Sequence, residues 1–206
     1  MSENSHFFQK LFVYPVFLLC LMLLLLPGCR TTSIAPVAGD DDTPVTKYTR
    51  YNIHAQQNNR DIKASYAGFV DPGAGHIFVP AGSKVQFPDK GALRNGFFIK
   101  VVDTGQEIFF EYNKGRMKMP AHEYVELITS DKPVSLDHFS AIDRKGIKDG
   151  KAYEKMSKEG VLTALGYPPT HGTPSLESNT WKYWRNRFVT MNVVFDETGH
   201  VKNIVK

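Results

Sequence analysis

Cysteine is almost missing from this chain, with only Cys20 and Cys29 in 206 residues. A disulfide framework is therefore excluded, and stability has to come from buried apolar surface. The chain is long enough to bury one or two small cores without such staples. Blocks of one charge sign are missing too. The formal net charge is +4 with acids and bases intermingled, and no Lys/Arg run offers a phosphate-binding stripe, so nucleic acid is not an expected partner. Signatures of catalysis are equally thin. No Gly-x-Ser-x-Gly elbow occurs. Gly73-x-Gly75 lacks the third glycine and the helix opening of a dinucleotide loop and reads as a turn. His122-Glu123-x-x-Glu126 has a glutamate where a zinc-protease helix needs its second histidine, and none of the seven histidines has a second ligand at metal spacing. No enzyme activity and no metal site are expected.

What the chain does have begins at its first residue. Met1–Lys10 is polar with one firm positive charge, Lys10, and Leu11–Leu26 is apolar almost throughout. A charged start, an apolar run shorter than the roughly 20 residues of a bilayer span and a small-residue exit predict a secretory leader. The exit is Leu26-Pro27-Gly28-Cys29. It resembles a lipobox, in which an aliphatic and a small residue precede the cysteine that receives a diacylglycerol before cleavage. Pro27 departs from the residue usual at its place. The alternative is an uncleaved anchor helix, which would put the rest of the chain in the same compartment. On the lipobox reading residues 1–28 are a leader, Cys20 leaves with it, and Cys29 is the lipidated residue. The expected membrane contact is then the covalent acyl lipid on Cys29, with no other cofactor. Arg30 stands in the second mature position, where aspartate commonly retains lipoproteins on the inner membrane. By that resemblance the expected location is the outer membrane of a Gram-negative cell, facing the periplasm.

Residues 29–46 read as the acylated cysteine and a flexible tether rich in Thr, Ser, Ala, Pro and Gly. Its run Asp40-Asp41-Asp42 reads as solvated tether, not as a cation site. Residues 47–130 carry short strand signals. Asp71-Pro72-Gly73-Ala74-Gly75 and Pro80-Ala81-Gly82 mark turns, and Asp103-Thr104-Gly105 marks a hairpin loop between Gly96–Val102 and Gln106–Tyr112. Pro120–Ile128 predicts one short helix opened by proline. This pattern predicts a small antiparallel β-rich domain, an SH3-like partly open barrel being the guess. After Asp131-Lys132-Pro133 the pattern changes to helix, helix, strands over residues 135–206. Ser135–Lys145 predicts a first helix, with Leu136, Phe139 and Ile142 at helical spacing. Ser157–Leu165 predicts a second, ended by Gly166 and Pro168-Pro169. Strands are predicted at Trp181–Trp184, Phe188–Phe195 and His200–Val205.

Three blocks in this last third carry a resemblance. Met156-Ser157-Lys158-Glu159-Gly160-Val161-Leu162-Thr163-Ala164-Leu165-Gly166-Tyr167-Pro168 resembles the second-helix signature of the SmpA/OmlA (BamE-like) lipoproteins, where Met-Ser/Thr-x-x-x-Val leads to Leu-Gly-x-Pro. Asn179-Thr180-Trp181-x-Tyr183 resembles that family's Asn-Thr-Trp-x-Tyr strand, and Val194-Phe195-Asp196-x-x-Gly199-x-Val201 its closing hairpin. The match covers about Ser135 to Lys206. Lys155 stands where the family usually has glycine, and Lys47–Thr129 is extra to the minimal family domain. The resemblance implies an α+β fold class, two helices on one face of a short antiparallel sheet, preceded here by the β-rich domain. It also implies a domain that binds other envelope proteins, in the outer-membrane case supporting a machine that inserts β-barrels, and that catalyses nothing. Similar folds occur in inhibitors of secreted β-lactamases.

Trp181, Tyr183, Trp184, Arg185, Arg187 and Phe188 bring together the residue types enriched at binding hot spots. If the strand ran on, Trp181, Tyr183, Arg185 and Arg187 would share one face, and Trp184, Asn186 and Phe188 the other. One face beneath the helices with a solvated aromatic–arginine face is the plain reading. A docking surface for an envelope protein is the sharper one. Two other functions stay open: a module in the β-rich domain for cell wall or another extracellular ligand, and an inhibitor of a secreted hydrolase. The lipobox reading makes a direct prediction: Cys29→Ser abolishes palmitate labelling and blocks removal of the leader, whereas unchanged labelling refutes it.

Overall fold

The computed structural model describes residues 45–88 and 95–206. The leader, Cys29, Arg30 and nearly all of the tether lie outside the described residues. Among the described residues the first part holds strands β1 (Thr46–Thr49), β2 (Ile53–Asn58), β3 (Asp61–Ser65), β4 (His76–Val79), β5 (Lys84–Gln86), β6 (Gly96–Val101) and β7 (Glu107–Glu111). Helices α1 (Lys114–Met117) and α2 (Ala121–Ile128) and strand β8 (Thr129–Ser130) complete it. Then come helices α3 (Ala141–Asp149) and α4 (Lys158–Leu165) and strands β9 (Thr180–Trp184), β10 (Thr190–Phe195) and β11 (Val201–Val205). None of these helices is long and apolar enough to cross a membrane.

Strands β1–β8 form a single sheet in the order β4-β2-β3-β7-β6-β5-β1-β8, curled into a half-barrel. Its pairs are antiparallel except β3 with β7, which run parallel with Ala64 opposite Phe110. Parallel neighbours need a long connection, and here β4, β5 and β6 lie between them in the chain. The hollow of the half-barrel is filled by alternate residues of each strand, such as Ile53 and Ala55, Ile62 and Ala64, Ile99 and Val101, and Ile108 and Phe110. Stacked Phe97 and Phe110 have ring centroids 4.9 Å apart. Helix α2 closes the hollow with Tyr124, Val125 and Ile128, one stripe at helical spacing.

The second core lies between α3, α4 and the sheet β11-β10-β9. Met156, Val161, Ala164, Leu165, Trp181, Tyr183, Val193 and Phe195 fill it. Ser157 caps α4 by accepting the Gly160 N–H at 2.9 Å. Gly160 is required by close approach: a Cβ there would lie 2.1 Å from the Asp143 carboxylate of α3. That buried carboxylate accepts from the Ser140 hydroxyl at 2.6 Å and the Ser157 N–H at 2.8 Å, and so ties the two helix starts together. Gly166 leaves α4 at φ +80°, a conformation that favours glycine.

Several expectations are corrected. The chain is mostly β, with an eight-stranded half-barrel, a three-stranded sheet and, among the described residues, four short helices. The α+β class, built on a two-helix plus short antiparallel sheet (BamE-like) domain behind a small antiparallel SH3-like domain, does not describe it. One reason is that propensity is a weak guide to short helices. Ser135 does not start one: its hydroxyl accepts from the Asp137 N–H at 3.2 Å and donates to the Asp137 carboxylate at 2.9 Å, a local turn that competes with a helix. The N-cap is Ser140, and Phe139 reaches the core from ahead of the helix. A second reason is that the half-barrel recruits strands distant in sequence, which no local pattern announces.

The two cores lie within one compact unit. Asn52, 1% exposed, joins them. Its amide donates to the carbonyls of Ile147 at 2.8 Å and Ala164 at 3.1 Å, its oxygen accepts from the Ala81 N–H at 2.8 Å, and its own N–H donates to Thr163 O at 2.8 Å. Asn52→Ala strands the Ile147 carbonyl and the Ala81 N–H and is expected to cost about 3 kcal/mol, read as a lower urea midpoint; a loss below about 0.5 kcal/mol contradicts the role.

Candidate functional site

β9 splits its side chains between interior and surface. Trp181 and Tyr183 are 1% and 0% exposed, while Lys182 and Trp184 point the other way. Trp181 and Tyr183 are therefore corrected: they are core residues, not parts of a docking surface. The Trp181 indole donates to Leu176 O at 3.2 Å, and the Tyr183 hydroxyl, pushed up in pKa by burial, donates to Gly166 O at 3.2 Å. Both bonds pin the loop that links α4 to β9.

Trp184, Arg185 and Arg187 reach the surface, but not on one strand face. The strand ends at Trp184, and residues 185–189 form the turn into β10. Arg185 folds back onto Asp71, its guanidinium 2.6 and 3.1 Å from one carboxylate oxygen, and this donor holds the Asp71 carboxyl below the usual range. The main chain adds Val70 N–H to Trp184 O at 2.9 Å and Asp71 N–H to Arg185 O at 3.1 Å. At the tip, the Asn186 side-chain oxygen accepts from the N–H groups of Phe188 and Val189, each at 2.9 Å. That closed turn holds Phe188 out at 90% exposure, with Val189 at 39%. Among the described residues no acid pairs with Arg187.

Beside the hairpin lies a ledge of rings. His171 is 4.7 Å from Trp184 and 6.4 Å from Tyr66, centroid to centroid. Trp184 rests on Gly172, where a Cβ would come within 2.7 Å of the indole. Tyr66 and Asp71 are the surface members that sequence reasoning left out. Asn186 was a usable signal for the tip, since asparagine closes such turns on its own backbone. Nothing local announced Tyr66 or Asp71, which arrive from the half-barrel.

The other cluster is buried between the cores. His54, 3% exposed, donates from Nε2 to Ala164 O at 2.9 Å and accepts at Nδ1 from His76 Nε2 at 2.9 Å. The rings stack at 5.2 Å. Burial, then the neighbouring imidazole, lowers His54 to about 4 against the bond to Ala164, and burial also lowers His76. The adjoining cleft, lined by Tyr51, His54, Ser65, Tyr124 and Tyr167, leaves about 20 Å³ of free space. That holds about one water and no organic ligand. Among the described residues no three His, Cys, Asp or Glu side chains gather as a metal site. Glu126 of the half zinc motif is instead 2.8 Å from the ammonium of Lys47.

Compared with protein-family models, curated proteins and solved structures, the chain matches none of them.

The histidine pair sets a pH dependence. His54 binds its proton less readily folded, at about 4, than unfolded, at its ordinary 6.5, so acid favours the unfolded chain. Stability is complete above about pH 6.5 and falls as pH drops towards 4, by up to about 3 kcal/mol from His54. Urea unfolding at pH 7, 6 and 5 reads the slope, and His54→Phe removes about one proton of uptake per unfolding event. Equal slopes for both proteins contradict the assignment.

Proposed function

We propose that the chain is a non-catalytic lipoprotein of the bacterial envelope, held to the periplasmic face of the outer membrane by lipid on Cys29. It works by contact with another envelope protein. The membrane part rests on the lipobox-like Leu26–Cys29 and on Arg30. The contact part rests chiefly on one observation: Phe188 stands 90% exposed on a turn locked by its own asparagine, with Arg187 exposed beside it and paired with no acid among the described residues. The closed turn fixes the backbone beneath an exposed aromatic and an arginine, residue types that anchor protein contacts, so the turn itself need not be ordered on binding. The SmpA/OmlA (BamE-like) resemblance of the last third supports protein binding as the class of function. Its barrel-assembly role is not carried over, because the half-barrel is extra and the implied fold is corrected.

A photo-crosslinker placed at Val189 in cells is expected to give a discrete adduct with one envelope protein. Phe188→Ala and Arg187→Glu are expected to reduce that adduct about tenfold, while both variants melt within about 0.5 kcal/mol of the parent because neither side chain is packed. Absence of any adduct, or adduct formation indifferent to both substitutions, refutes the tip as the contact.

A further inference from the structure

The ledge beside the hairpin has a chemistry of its own. Tyr66, His171 and Trp184 succeed one another at 6.4 and 4.7 Å, tilted by 57° and 35°, so together they make a stepped aromatic surface. Each ring carries a polar group, and among the described residues none of these groups has a hydrogen-bond partner. Three amphipathic rings, each with an aromatic face and a polar atom that reaches solvent and can bond a ligand in place of water, suit a ligand that alternates C–H faces with hydroxyls. The Asp71–Arg185 pair stands at the Trp184 end and adds fixed charged donors and acceptors. His171 has its pKa lowered by partial burial and nearby Arg116, so its neutral ring offers one donor and one acceptor.

The ledge is built before any ligand arrives. Val70 N–H to Trp184 O fixes the register between the chain after Tyr66 and β9. Gly68 and Phe69 make the intervening bend at φ +83° and +42°. A non-glycine residue in that region costs on the order of 1 kcal/mol and is held only where the surroundings dictate it. A saccharide can meet the polar groups one ring at a time, through the hydroxyls that flank each C–H face.

We propose that the ledge Tyr66–His171–Trp184, flanked by Asp71 and Arg185, is a binding surface for a saccharide chain. It is distinct from the Phe188 tip and independent of the protein contact assigned there. The adjoining cleft, with its 20 Å³, takes no sugar ring, so the chain lies along the surface.

The test uses the full chain in detergent and two probes, tetramers of β-1,4-linked glucose and of β-1,4-linked N-acetylglucosamine, followed by calorimetry and tryptophan emission. Trp181 is buried, so Trp184 is the reporter in contact with the probe. Saturable binding of at least one tetramer is expected, weakened about tenfold by Trp184→Ala and by the Tyr66→Ala/His171→Ala pair. Phe188→Ala, which disables the tip, is expected to bind as the parent does, so a failure of the tip reading leaves this result standing. Folding of each variant is checked by its melting curve; should Trp184→Ala unfold, the Tyr66/His171 pair decides alone. No saturation by either tetramer up to about 10 mM, or affinity unchanged in the double variant, overturns the proposal. So does a crosslinker at Tyr66 that captures a protein while neither tetramer binds.

Discussion

The carbonyl oxygens at the end of α4 have to find donors, and the half-barrel supplies them. A helix leaves its last four carbonyls without partners inside the helix, and leaving such groups buried and unpaired is costly. Here Leu162 O takes the Gly166 N–H, Thr163 O takes the Asn52 N–H, and Ala164 O takes both the Asn52 amide and the His54 ring. Side chains alternate along a strand, so Ile53 and Ala55 point into the half-barrel core while Asn52 and His54 face the helices. One short stretch therefore belongs to both cores. Separating the cores would break four buried hydrogen bonds at once, and the two lie within one compact unit.

That junction explains which parts of the structure were legible in the sequence. Local signals carried well where the cause was local: Ser157 capping α4, Gly166 ending it, Gly105 turning β6 into β7, and Pro120 opening α2 all follow from side-chain and backbone chemistry within a few residues. They failed where the cause was distant. The parallel pairing of β3 with β7 joins segments about forty residues apart, and the Ser135 turn was decided by a hydroxyl finding Asp137 first. Asn52 and His54 carry no local signal of their role, because their partners lie about a hundred residues further on.

The aromatic–arginine stretch shows the same division within five residues. Composition marked Trp181 to Arg187 as a candidate docking surface, and alternation sent Trp181 and Tyr183 inward and left Trp184 outside, as the plain reading of one buried face has it. Period-two reasoning held only as far as the strand did. Beyond Trp184 the chain turns, and exposure is set by Asn186 closing the loop and by Arg185 finding Asp71. The two buried aromatics still matter to the surface, because their hydrogen bonds to Leu176 and Gly166 fix the loop that carries His171.

The surface is consequently as rigid as the junction behind it. The C-terminal part is gripped at two places: by Asn52 and His54 at the helices, and by Val70 and Asp71 at the end of β9. Tyr66 lies on the connection between these grips, and Trp184 lies on the strand that the second grip holds. Moving one ring relative to the other would break the Val70–Trp184 bond or the Asp71–Arg185 pair, or else pull on the buried Asn52 network. Ordering a flexible side chain on binding costs roughly 0.5–1.5 kcal/mol each. A ledge assembled from two cores, with its rings already placed, avoids much of that cost, and this advantage depends on the two cores forming a single body.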